Sequence, residues 1–273
     1  MPTPANLRMN PWPGARWGPE DKPVLLLDGT VHRVRRLGAP LSGEAAYAVG
    51  IDDASLRSIC RHLDVRSLSL YEMRVADLEP LAQLADLRGL AIRWNTKLSD
   101  IAPLQRLGRL EELVLEHVPC VFDLSPLGSL HRLRFLDFSG GTWARNRVST
   151  LLPLAELPAL AELVLTNLSV ERDGLRPLAG CRKLRSLTLS NQFPTDDYAF
   201  LSVRLPNTAC ELFAPFLVLA TQIDGKDVMV TGKGKPFLDQ SRDRERLERY
   251  VAAFEALRDR HAKTDPVGKG RAE

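Results

Sequence analysis

Between residues 63 and 201 the apolar positions return at a fixed phase. A pattern with leucine or an equivalent apolar residue at its first, fourth and sixth places begins at Val65 (VRSLSL), Leu87 (LRGLAI), Leu110 (LEELVL), Leu133 (LRFLDF), Leu160 (LAELVL) and Leu184 (LRSLTL). The spacings are 22, 23, 23, 27 and 24 residues. A second pattern keeps the same phase: DLEPL from Asp77, DIAPL from Asp100, DLSPL from Asp123, TLLPL from Thr150 and GLRPL from Gly174, fading to DYAFL from Asp197, where Phe200 replaces the proline. Two motifs locked to one period define a structural repeat.

Side chains alternate along a strand, so the fourth and sixth places of the first motif share a face and point inward. The proline-bearing segment returns the chain on the opposite side, where a first helical turn or 3₁₀ turn accepts a residue without an N–H. One such unit cannot bury its own leucines. Neighbours therefore stack into an α/β solenoid, with a parallel strand ladder on the concave side and short helices on the convex side.

These motifs resemble the bacterial leucine-rich repeats of about 22 residues found in internalins and in regulators of protein phosphatase 1. The resemblance covers roughly residues 63–201. It implies a leucine-rich-repeat solenoid that binds another protein without catalysing a reaction. Such repeats usually carry asparagine three residues after the last strand leucine. Here those places hold Met73, Asn95, Val118, Gly141, Leu168 and Gln192, so apolar packing is expected to tie most of the turns.

A stack exposes apolar surface at both ends, so the flanks read as caps. Residues 1–20 read as disordered, 21–62 as an N-terminal cap, 63–215 as six clear repeats and a degenerate seventh, 216–262 as a C-terminal cap and 263–273 as a disordered tail. In the first cap, Val24 to Leu27, the Asp28-Gly29 turn and TVHRVRRL predict a hairpin. A strand over 46–51 follows. Then comes a short helix capped by Asp52 or Asp53, with Leu56, Ile59, Cys60 and Leu63 on one face. The degenerate strand is NTACELFA, with Cys210 and Leu212 standing 23 residues after Leu187 and Leu189. FLVLATQI, Asp224-Gly225 and KDVMVTG predict a second hairpin. An amphipathic helix from about Asp239 to His261 presents Leu247, Tyr250, Val251, Phe254 and Leu257 on one stripe. That helix either covers the last repeats or docks a partner.

The 273 residues are 44% apolar and 26% charged, an ordinary globular balance. The net charge of +3 divides into +2 for residues 1–62, −1 for 63–201 and +2 for 202–273. No basic stripe is present, so nucleic acid is not the expected partner. Cys60, Cys120, Cys181 and Cys210 lie far apart without a CxxC pair, which argues against zinc or a redox centre and for a reduced compartment. The first residues lack an apolar leader, and the longest comparable apolar stretch, Phe213 to Ala220, is too short to cross a membrane. A monomeric, cytoplasmic bacterial protein with no cofactor and no membrane contact is expected.

Candidate chemistry is sparse. His32, His62, His117, His131 and His261 do not stand at metal-ligand spacing, and no nucleophile elbow, phosphate loop or zinc-protease motif occurs. His117 and Cys120 could form a thiol–imidazole pair only by accident of a loop, and GKGK at 232–235 reads as a solvated turn. No residue is assigned a catalytic role. The remaining catalytic possibility is a regulatory subunit or enzyme with activity in segment 216–273.

Strand residues that alternate with the buried leucines form a readable outer grid. At its middle, Glu112, Glu116, Asp137 and Glu162 surround Val114, Phe135 and Val164, with Tyr71, Arg93 and Trp94 to one side. The fourth repeat is longer, and its excess, SGGTWARNRVST, brings Trp143 as a candidate contact or a convex-face filler. Buried aromatic anchors supply most interface energy and charges select partners, so this grid points to a protein partner with a basic, partly apolar surface. The competing readings are a solvated sheet face without a partner and an immunity-type inhibitor of a basic toxin or enzyme.

Overall fold

The computed structural model describes residues 24–28, 40–142 and 144–264. The strands are β1 (Val24–Asp28), β2 (Leu41–Ser42), β3 (Ala45–Val49), β4 (Leu63–Asp64), β5 (Ser67–Tyr71), β6 (Gly89–Arg93), β7 (Glu112–Glu116) and β8 (Phe135–Ser139). They continue as β9 (Asn146–Val148), β10 (Glu162–Leu165), β11 (Leu168–Val170), β12 (Ser186–Leu189), β13 (Phe216–Ile223), β14 (Lys226–Val230) and β15 (Phe237–Leu238). The helices are α1 (Asp53–His62), α2 (Leu152–Ala155), α3 (Thr195–Arg204) and α4 (Arg244–Lys263).

Eight strands form one sheet in the order β1-β3-β5-β6-β7-β8-β10-β12, and every pairing in it is parallel. Its register places Leu68, Leu90, Leu113, Leu136, Leu163 and Leu187 side by side in a single row. All six are buried in one continuous core. This is the solenoid that the leucine period predicts.

The return segments are 3₁₀ turns at Glu79–Gln83, Ala102–Arg106, Ser125–Ser129 and Arg176–Gly180, each with proline in its first two positions. The aspartate that opens the motif has a local task. Asp77, Asp100 and Asp123 each accept a 2.8 Å hydrogen bond from the backbone N–H two residues on, satisfying a donor that the short turn leaves unpaired. In the fourth repeat the Thr150 hydroxyl does the same for the Leu152 N–H at 3.2 Å, and the turn there is the short helix α2.

The sheet begins earlier than the leucine pattern. β3 lies in register with β5, and Ala46 and Ala48 fill the inward positions opposite Leu68 and Leu70. Both alanines are buried, and α1 stands where later coils have a 3₁₀ turn. Asp52 is its N-cap, accepting from the Ser55 N–H at 2.9 Å, and Leu56, Ile59 and Cys60 face the core. β1 pairs parallel with β3 and forms the edge of the sheet. The second arm expected for a hairpin from β1, within 30–37, falls outside the described residues, as do residues 1–20 and 265–273.

At the other end, β12 is the last strand of the sheet. The segment read as a seventh strand makes only a single parallel bridge, Ser186 to Ala209, and then turns into a 3₁₀ turn at Glu211–Phe213. The bridge falls opposite the first residue of β12, and the turn that follows ends the pairing there. The chain then forms the antiparallel hairpin β13–β14, joined by β15. α4 packs on α3: its Phe254 enters the main core, while Leu247 joins Val228, Val230 and Leu238 in a separate cluster. Asp196 ties the end of α4 to α3, receiving Arg260 at 2.5 Å and facing His261 Nε2 at 2.9 Å.

A fully buried leucine contributes about 1.5–3 kcal/mol through the water it leaves. Leu136 sits at the middle of the row with neighbours on both sides. Leu136→Ala is expected to lower unfolding free energy by about 2–5 kcal/mol, read from urea titrations. A loss below about 1 kcal/mol would contradict a shared interior at this coil.

Candidate protein-docking face

Five of the sheet's strands are followed by a residue with left-handed backbone that turns the chain out of the sheet. Gly50, Glu72, Trp94, His117 and Asn167 have φ of 68, 53, 57, 53 and 46°. Neighbouring strands lie about 4.8 Å apart, so side chains at these places stack along the rim. The Trp94 ring lies 6.3 Å from Tyr71 and 4.8 Å from His117, forming an aromatic ladder at one border of the concave face.

The next positions carry the turns. Met73, Val118 and Leu168 are buried, in line with the apolar packing expected there. Asn95 is also buried, donating from Nδ2 to the Val75 carbonyl at 2.8 Å. A second amide was not legible in the motif. Asn146, buried at the start of β9, accepts from the Val118 N–H at 3.1 Å and donates to the Ser139 carbonyl at 2.9 Å. It does the work that Gly141, at the aligned position, cannot do. The excess residues of the fourth repeat carry the chain out and back to Asn146, and the only sequence signal is an asparagine inside that excess. Trp143 lies outside the described residues.

Strand register resolves the grid into rows that run across the sheet. Glu112, Phe135 and Glu162 are direct neighbours in the first row. Val114, Asp137 and Val164 are neighbours in the second. In the third, Arg93 stands beside Glu116, with Nε 3.0 Å from its carboxylate. Phe135 packs partly buried against Ala91 and Val114. Of the expected contact residues, Val114 is wholly buried and Arg93 nearly so, while Glu112, Glu116, Asp137, Glu162 and Val164 are half-buried. Tyr71 and Trp94 stand half-buried at the border. A shallow cavity of about 310 Å³ opens beside Phe135, walled by Glu111, Glu112 and Glu162 and on its other side by Arg134 and Arg185.

Asp137 is the perturbed group of this face. Burial pushes its carboxyl up to about 6, against a smaller opposing effect from the Ser139 hydroxyl that donates to it. Glu116 adds repulsion and Arg93 a smaller attraction.

The other chemical candidates do not assemble. Cys120 is exposed and its Sγ lies 3.1 Å from the Thr96 carbonyl, whereas the His117 ring faces Trp94. At 232–235 the Gly232 N–H donates to Asn191 at 2.6 Å, tying the turn to the last repeat. Among the described residues no group of three or more His, Cys, Asp or Glu could hold a metal ion. No helix among them is long and apolar enough to cross a membrane.

A curved parallel sheet backed by proline-led turns over one leucine core defines a leucine-rich-repeat solenoid, and this chain has that fold. The solved structures to which it is similar include bacterial proteins of that build. An internalin, InlF of Listeria monocytogenes, is 27% identical over 61% of this chain and 46% of its own, with a TM-score of 0.50. Internalin C2 of Listeria monocytogenes is 23% identical over 62% and 69%, with a TM-score of 0.47. A leucine-rich-repeat protein of Leptospira interrogans is 20% identical over 60% and 40%, with a TM-score of 0.45. This chain thus spans less than half the length of the InlF structure. No family model and no curated protein matches the sequence.

The raised carboxyl of Asp137 gives a pH signature. Folded, it keeps its proton to about pH 6, whereas unfolded it ionises near its ordinary value of 3.8. The folded state therefore binds more protons between those limits, and this group's contribution to stability falls as pH rises through them. Asp137→Asn is expected to be about 1–3 kcal/mol more stable than the parent at pH 7.5, with the difference vanishing below pH 4. Paired urea titrations at the two pH values check this; an unchanged difference across the range would refute it.

Proposed function

We propose that the chain is a non-catalytic protein-binding module whose concave face, centred on Phe135, docks a partner with a basic, partly apolar surface. The observation that carries this is the row in which Phe135 stands between Glu112 and Glu162 on adjoining strands. An aromatic ring fixed on Ala91 and Val114 offers a preorganised anchor, and carboxylates on both sides favour cations over other partners. Val164 and Asp137 extend this mixed surface, and the Tyr71–Trp94 border and Trp143 are its candidate outer contacts.

The likeness to InlF supports a displayed solenoid face rather than a particular partner. The four free cysteines suit a reduced, cytoplasmic setting, and the module is read as a monomer. In one form of this reading the module is an immunity-type inhibitor that covers the active site of a basic toxin or enzyme; the carboxylate fence favours it.

Affinity capture from the native source, followed by titration of the captured partner, tests the proposal. Phe135→Ala/Asp137→Lys is expected to weaken binding by at least 30-fold, the scale of losing a central anchor, about 2 kcal/mol. Glu79→Lys, on a return turn, should leave it unchanged. Equal recovery by parent and concave-face variant would remove this face from consideration.

A further inference from the structure

The parallel sheet stops at β12 with its hydrogen-bonding edge incomplete. The N–H groups there alternate in direction. Ser186 and Ser190 donate back to the Ala161 and Leu165 carbonyls at 3.1 and 3.4 Å, whereas Leu187 donates outward to the Ala209 carbonyl at 2.9 Å. The Ala209 N–H answers by donating to the Arg185 carbonyl at 2.8 Å. A strand that ran on from Ala209 would next bond the Leu187 carbonyl, then the N–H and carbonyl of Leu189. The chain turns at Glu211–Phe213 instead, and among the described residues no hydrogen bond meets those three groups on that side.

The gap is held open from both ends. At one end stands the Ala209 bridge. At the other, Asn191 donates from Nδ2 to the Val230 carbonyl at 2.9 Å and accepts from the Gly232 N–H at 2.6 Å, while the Thr195 hydroxyl donates to the Thr231 carbonyl at 2.9 Å. These bonds pin the β13–β14 hairpin to the last repeat. The edge between residues 186 and 191 is about 16 Å long and faces a cleft of about 680 Å³.

The walls define what fits. Half-buried Leu189, Cys210, Leu217 and Met229 make the inner side apolar, Thr188 lies on the concave side, and Glu211 is the only charge among the lining residues. Sheet edges are commonly guarded by lysine or proline, yet residues 186–190, SLTLS, contain neither. The cleft also continues the docking face, because Ser186 pairs with Glu162, the neighbour of Phe135.

We propose that β12 accepts an extended segment of a partner protein as a ninth strand, seated between the last repeat and the β13–β14 hairpin. Its main chain completes the three open bonds. Its inward side chain is apolar and meets Leu217 and Met229, its outward ones are small and polar beside Thr188, and a flanking arginine or lysine is matched to Glu211 and Glu162. In strand addition of this kind main-chain bonds supply affinity and alternate side chains supply selectivity. The inference goes beyond the docking reading, since it makes no use of the Phe135 anchor.

The probe is a labelled peptide with the sequence of residues 184–190, LRSLTLS, which carries that alternation and an arginine. Fluorescence anisotropy reads its binding to the full-length chain, and amide hydrogen exchange followed by NMR reads the edge. In the free chain the Leu189 N–H should exchange at least ten-fold faster than that of Leu187, and the peptide should slow it at least ten-fold. The same peptide carrying Thr188→Pro lacks the donor for the open carbonyls and should bind at least ten-fold more weakly. Leu189→Pro in the protein removes only the outward donor and should weaken binding equally. If that variant unfolds in urea titrations, the two peptides decide alone. Phe135→Ala should leave peptide affinity unchanged. Equal binding of the two peptides, no binding of the first, or a Leu189 amide as protected as Leu187 in the free monomer overturns the proposal. Protection of Leu189 in a chain that sediments as a dimer, lost on dilution, assigns the edge to a second copy and overturns the partner form. Peptide affinity lost with Phe135→Ala places the peptide on the docking face and overturns it too, while leaving the docking reading in place.

Discussion

The row of leucine side chains from Leu68 to Leu187, held side by side by parallel strands, is the constraint from which the rest follows. Strand side chains alternate strictly, so a slip of one residue in any pairing would expose a leucine and bury its polar neighbour. Register is thereby fixed from the inside. The same pairing that aligns Leu113, Leu136 and Leu163 beneath the sheet aligns Glu112, Phe135 and Glu162 above it. The outer face inherits its geometry from a core with which it shares no side chains.

That dependence explains what could be read from the chain before its structure. Leucine-bearing coils announce themselves, and the outer grid follows by alternation alone, which is why the neighbours of Phe135 were legible. Depth was not. That Val114 is wholly covered and Arg93 held against Glu116 depends on curvature and on the size of neighbouring side chains. The strand over 46–51 was legible but its place as a coil of the stack was not, because alanines at 46 and 48 fill the inward places without the leucine signature. Its one phase marker is Gly50, whose left-handed backbone matches Glu72, Trp94 and His117. The degenerate seventh strand amounts to a single bridge at Ala209, because the chain turns at Glu211–Phe213 before the ladder can extend.

The two ends of the solenoid are closed by different means. At the first, α1 replaces a return turn and keeps the period. At the second, α3 and α4 form a helical pair whose far end depends on charge. Burial works against ionisation of Asp196, yet the hydrogen bond and charge of His261, with Arg260 and Arg176, hold its carboxyl below the usual range. Arg176 belongs to the last return turn, so this cluster joins α3, α4 and the repeats at one point. Half-exposed pairs of this kind add little stability singly, and their value is in fixing the angle at which α4 meets the repeats.

Asn146 gives the fourth repeat an unusual freedom. Because its amide closes the turn that Gly141 cannot, the stack is already secured on both sides of the excursion between them. Loop closure itself adds only about 0.6 kcal/mol for each doubling of such an excursion. The next coil sets its limits, because Asn167 donates to the Gly141 carbonyl at 2.7 Å, so insertions that leave Gly141 and Asn146 in place are the ones the stack accommodates.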